Sequence, residues 1–141
     1  MYVANVLDII PEWKLGWIAG YLDGEAYIGV VKSGDYAQPK ITVSSIVFAS
    51  VEALVSVTQM GSLSDGSVRS SEHRPARVWT VYKTSDIFML LIKLQPYILV
   101  KRKQADLVIE YCAGKLGNSQ LHDIDWYCDK TKEANAQIEV I

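Results

Sequence analysis

Residues 15–28 read Leu-Gly-Trp-Ile-Ala-Gly-Tyr-Leu-Asp-Gly-Glu-Ala-Tyr-Ile. A surface helix shows one polar face to water, whereas this segment offers none for about two turns, which predicts a helix buried on both sides. Gly16, Gly20 and Gly24 recur at every fourth position. Residues four apart share a helical face, so this stripe lets a second backbone approach closely. Asp23 and Glu25 stand in the last turn, against the negative end of the helix dipole, where a carboxylate is disfavoured. Something outside the helix must compensate them, and carboxylates crowded by packed helices suit a hard divalent cation.

The chain has 141 residues, half of them apolar, and a mean hydropathy of +0.11. That length suits a single domain, read here as 1–141, and the apolar content predicts a surface shared with another chain. No apolar run is long enough to span a membrane, and the acidic N-terminal residues do not form a signal peptide. Cys112, Cys128, His73 and His122 lack zinc-ligand spacing and read as groups of an intracellular, reducing compartment. The net charge of −2 and pI of about 5.6 argue against a nucleic-acid binder, but the distribution does not. Residues 29–83 carry a balance of +2, and residues 104–141 one of −4, so a mildly basic middle precedes an acidic tail.

Outward from the quoted stretch, Pro11 opens a helix over 12–24. Strands follow at 27–33 and 38–47, joined by a Gly34-Asp35 turn. Ser50 caps a helix to about residue 60, a Gly/Ser loop fills 61–66, and strands at 67–71 and 77–84 come next. Ser85 caps a helix through 94 that Pro96 stops. Further helices cover 101–112, ending near Gly114, and a segment from about 124. This α-β-β-α-β-β-α order predicts an α+β fold with one antiparallel sheet and helices on one face. Alternation then leaves Tyr27, Gly29, Val31 and Ser33 on the open face, with Gln38, Lys40, Thr42 and Ser44 beside them. Arg69 and Ser71 continue that face, as do Thr80 and Tyr82. Such side chains are equipped to hydrogen-bond base edges and phosphates in a major groove; the plain alternative is a solvated sheet face.

Ile18-Ala19-Gly20-Tyr21-Leu22-Asp23-Gly24-Glu25-Ala26 resembles the LAGLIDADG motif of homing endonucleases. Residues 94–108, Leu-Gln-Pro-Tyr-Ile-Leu-Val-Lys-Arg-Lys-Gln-Ala-Asp-Leu-Val, resemble the segment after the last strand and helix of that family: a Leu-x-Pro turn, a basic cluster, then Gln-Ala and an apolar helix. The element order fits too, and the resemblance covers about residues 12–128. With one motif copy, it implies a saddle-shaped sheet and a homodimer whose motif helices pack across a two-fold axis. Gly16, Ala19, Gly20 and Asp23 would then lie at the dimer interface.

The resemblance further implies a site-specific endonuclease that cuts double-stranded DNA at a long, near-palindromic target with Mg²⁺ or Mn²⁺. Glu25 would be the essential metal ligand, helped by the Gly24 carbonyl, and Lys101 would support transition-state charge. Three features depart from the family: Ala26 replaces the glycine closing the motif, 44–49 (Ser-Ser-Ile-Val-Phe-Ala) lacks the usual polar and basic side chains, and the pI is acidic. These leave open a non-cleaving binder on the same scaffold, either an intron-RNA maturase or a DNA-binding regulator.

Overall fold

The computed structural model describes residues 6–66 and 75–138. Helix α1 (Glu12–Glu25) leads into strands β1 (Tyr27–Ser33) and β2 (Tyr36–Ser45). Helix α2 (Phe48–Thr58) with strands β3 (Ser62–Asp65) and β4 (Arg77–Val81) repeats that unit, and helix α3 (Thr84–Leu94) follows. Helices α4 (Arg102–Leu116) and α5 (Ile124–Ile138) complete the fold. The expected α+β class and order are present, with an antiparallel sheet in the order β1-β2-β4-β3.

Strand alternation sorts the sheet into two faces. Ile28, Val30, Ile41, Val43, Trp79 and Val81 all point into one core with Ile18 and Leu22 of α1, Leu54 of α2, Leu90 and Leu91 of α3 and Val108 of α4. The Trp79 indole donates to the Met60 carbonyl at 2.9 Å, so the largest core side chain buries no unpaired N–H. Gly34 has φ of +63° in the two-residue turn that pairs Ser33 with Tyr36, a backbone that favours glycine.

Several boundaries differ from the sequence expectation for local reasons. The Gly/Ser segment 61–66 is not a loop but holds β3: Leu63 faces Trp79 while Ser62 and Ser64 face outward, so serines had masked a strand alternation. The strand expected at 67–71 lies outside the described residues. Ser50 is not the cap of α2; Val47 holds that position, and the Ser50 hydroxyl sits in the first turn, where it donates to the Val47 carbonyl at 2.7 Å. Lys83 rather than Ser85 precedes α3. Helix α4 runs past Gly114 to Leu116.

Strand β1 is a sheet edge, and α5 covers it. Thr131 Oγ1 accepts from the Val30 N–H at 3.1 Å, and Asn135 Nδ2 donates to the Ile28 carbonyl at 3.0 Å. Gln104 of α4 donates to Asn135 Oδ1 at 3.2 Å, which ties the two helices together. Side chains thus occupy backbone groups that an open edge would offer to another strand. Thr131 is fully buried, so Thr131→Val should leave the Val30 N–H without a partner. We expect a loss of about 1–3 kcal/mol in urea unfolding, with Thr131→Ser close to wild type.

Candidate functional site

The last turn of α1 exchanges partners with the start of α4. Asp23 Oδ2 accepts the backbone N–H groups of Leu99 and Val100, both at 3.0 Å, and Oδ1 accepts that of Lys101 at 2.8 Å. In return Lys101, which is only 8% exposed, donates from Nζ to the Leu22 carbonyl at 3.2 Å. A carboxylate from one helix's negative end thus meets a nest of amide donors ahead of the other helix, and a cation returns to that negative end. Burial acts to raise the Asp23 pKa, but the three N–H groups and Lys101 outweigh it and hold the carboxyl below the usual aspartate value. Burial pushes the Lys101 ammonium down from the ordinary lysine value, against the pull of Asp23 and Glu25.

The Asp23 carboxylate is committed to residues 99–101 within the chain. One expectation is corrected: Ala19 does not lie at an open surface, because it is fully buried beside Ile18 and Leu22 in the chain's own core. Nor is α1 covered on both sides within one chain. Gly20 and Gly24 lie exposed, and a Cβ added at Gly16, Gly20 or Gly24 would meet no atom within 4 Å. Trp13 (71% exposed) and Trp17 (40%) border this open stripe. The internal fold makes no use of these three glycines.

Glu25 is exposed at the end of α1 and is close enough to Lys101 to act on its charge. Among the described residues no three His, Cys, Asp or Glu side chains converge to hold a metal. At this end of α1 the exposed Glu25 carboxylate stands next to the exposed Gly24 backbone, oxygen donors of the kind a hard cation takes. Ala26, which departs from the family motif, has φ −85° and ψ 149°, ordinary extended backbone that needs no glycine. Its N–H donates to the Leu22 carbonyl at 2.9 Å and its side chain is buried.

From Ala26 the chain enters the open face of the sheet. Register places Tyr27 opposite Thr42, Val31 opposite Gln38, Thr42 opposite Thr80 and Ser44 opposite Val78. Lys40, Ser33 and Tyr82 complete the expected set, and the Thr42 and Thr80 hydroxyls lie 3.1 Å apart. Gly29 lies on this face opposite Lys40 but is not open as expected: it is buried, and a Cβ on it would lie 2.6 Å from the Tyr27 hydroxyl, so the Tyr27 ring covers it. Arg69 and Ser71 lie outside the described residues. The sequence reading missed Tyr36, Ser62 and Ser64, which pair with Ser33, Thr80 and Val78 of this face; the signal for the serines was the Ser-Leu-Ser alternation.

The elbow between β2 and α2 is apolar, as its sequence indicated. Ile46, Val47 and Phe48 are all exposed, and Ser45 spends its hydroxyl on the Val47 N–H at 3.0 Å. Both cysteines are free; burial lifts the Cys112 thiol to about 12, which leaves it inert. No helix among the described residues is long and apolar enough to cross a membrane.

No family model and no curated protein matches the sequence. Solved structures do. I-CvuI, a homing endonuclease solved with a DNA target in the presence of magnesium and with the DNA not cleaved, is 18% identical. The match has a TM-score of 0.57 and covers 92% of this chain and 97% of that one. The archaeal intron-encoded homing endonuclease I-Vdi141I, solved with DNA, is 12% identical with a TM-score of 0.57 over 89% and 98% of the two chains. The LAGLIDADG meganuclease I-AabMI, bound to uncleaved DNA, is 15% identical with a TM-score of 0.61; it covers 74% of this chain and 38% of that one. At these identities the shared property is the fold.

Asp23 gives the site a pH signature. A carboxyl held below its unfolded value of 3.8 stabilises the fold above that pH, and the contribution fades as pH falls through the lower folded value. Urea unfolding should show wild type more stable than Asp23→Asn near neutrality, with the gap closing below about pH 4. A gap that persists unchanged into acid would contradict a charged Asp23.

Proposed function

We propose that this chain, which has the LAGLIDADG homing-endonuclease fold, acts as a homodimer that binds double-stranded DNA on its open sheet faces and cleaves both strands at a long, near-palindromic target. The observation that carries the reading is the stripe of Gly16, Gly20 and Gly24, open in the single chain and flanked by exposed tryptophans. Small residues on an exposed, apolar helix face suit close contact with an identical helix about a two-fold axis. Such a contact would bring two Glu25 carboxylates together and complete the half-site that each chain presents.

In this reading Glu25 and the Gly24 carbonyl would hold Mg²⁺ or Mn²⁺, an ion that would supply charge to polarise a phosphoryl oxygen and to lower the pKa of a water. Lys101 stands ready as the cation for charge developing on the phosphate. Asp23 keeps Lys101 in place and does not ligate metal. The sheet residues Tyr27, Val31, Ser33, Gln38, Lys40, Thr42, Ser44, Thr80 and Tyr82 face the duplex. The exposed apolar elbow at Ile46, Val47 and Phe48 favours a second reading, a binder that holds nucleic acid without cutting it, because no polar side chain from that elbow joins Glu25 and Lys101.

A duplex selected by binding from a randomised pool, incubated with Mg²⁺, separates the two. Wild type should cut it, Glu25→Gln should bind it with little change and leave it intact, and Lys101→Met should cut about 10²–10³-fold more slowly. Binding without cleavage by wild type supports the second reading. Equal cutting by wild type and Glu25→Gln contradicts the assignment of Glu25.

A further inference from the structure

The strands carry three described cations, and the fold treats them unequally. Lys32 is taken by α5, with Nζ 2.8 Å from Asp125. Arg77 turns to the helix side, 3.7 Å from Glu52 and 3.8 Å from Asp65, with its guanidinium over the Phe48 ring. Lys40 alone reaches the open face. Its Nζ lies 5.7 Å from the centroid of the Tyr82 ring, and no carboxylate among the described residues pairs with it. Around it the face is neutral: Gln38, Thr42, Thr80, Tyr27 and Ser62 share it by register.

We infer that the described sheet face of each protomer anchors its duplex to phosphate through Lys40 alone and reads it with neutral hydroxyl, amide and aromatic groups. The inference rests on the DNA-binding reading above and divides its labour. A cation that neutralises a phosphate releases condensed counterions, whereas hydroxyl and amide contacts release none. The Tyr82 ring attracts the ammonium and keeps it above the face, while its N–H donors remain free to meet a phosphate oxygen. Lys32 and Arg77 already have carboxylates within the chain and add nothing to this term.

The salt dependence of binding tests this directly. Fluorescence anisotropy with a labelled mixed-sequence duplex, over about 50–200 mM salt, gives the slope of log K against log salt for wild type, Lys40→Gln and Lys32→Gln. Circular dichroism confirms that each variant folds. Lys40→Gln should make the slope shallower by about 0.9 per protomer, about 1.8 for a dimer, while Lys32→Gln keeps the wild-type slope. An unchanged slope in Lys40→Gln, or an equal loss in Lys32→Gln, overturns the inference while leaving DNA binding in place. A wild-type chain that fails to bind the duplex at low salt overturns the DNA-binding reading itself, and the inference falls with it.

Discussion

The exchange of charge between two helix ends holds the candidate site of this protein together. Asp23 spends its carboxylate on the three amides ahead of α4, and Lys101 returns an ammonium to the last turn of α1. Each group sits where the opposing helix end favours its sign, so an acid that looks misplaced on α1 alone becomes favourable once α4 docks. The same exchange fixes where Glu25 stands. With Asp23 committed, Glu25 is the carboxylate left over at the mouth of the sheet, beside the cation that Asp23 positions.

Division between inward and outward surfaces follows from this arrangement. The core side of α1 is packed by Ile18, Ala19 and Leu22, and its other side is left bare along the glycines. The free edge of β1 is closed by Thr131 and Asn135, which removes that one edge of the sheet as a route to association. The glycine stripe of α1 stays open, as does the sheet face that begins at Tyr27, two residues beyond Glu25. A two-fold axis through the stripe would set two such faces side by side with their glutamates at the centre.

Much of this was legible in the sequence because periodicity and glycine spacing are local. The 27–33 strand and the outward set from Gln38 to Tyr82 follow from alternation, and the Gly34 turn from its residues. What stayed hidden depends on tertiary partners. Nothing near Asp23 in the sequence shows that amides at 99–101 will claim its carboxylate. Ala19 sits one residue from the glycine stripe, and only the packing against Ile18 and Leu22 assigns it to the core. Gly29 alternates as a contact residue should, yet the Tyr27 ring covers it. Strand β3 was obscured because Ser62 and Ser64 read as loop residues until Leu63 is seen against Trp79.

Whether two chains meet along α1 decides the whole mechanism, and sedimentation equilibrium of wild type beside Gly20→Leu measures it most directly. Open space surrounds Gly20 in the single chain, so the leucine should leave the monomer folded and unfolding cooperatively while blocking close approach of a second helix. Pairing through the stripe predicts a wild-type dimer and a folded Gly20→Leu monomer. A wild-type chain that stays monomeric, or a Gly20→Leu chain that keeps the dimer mass, would contradict it.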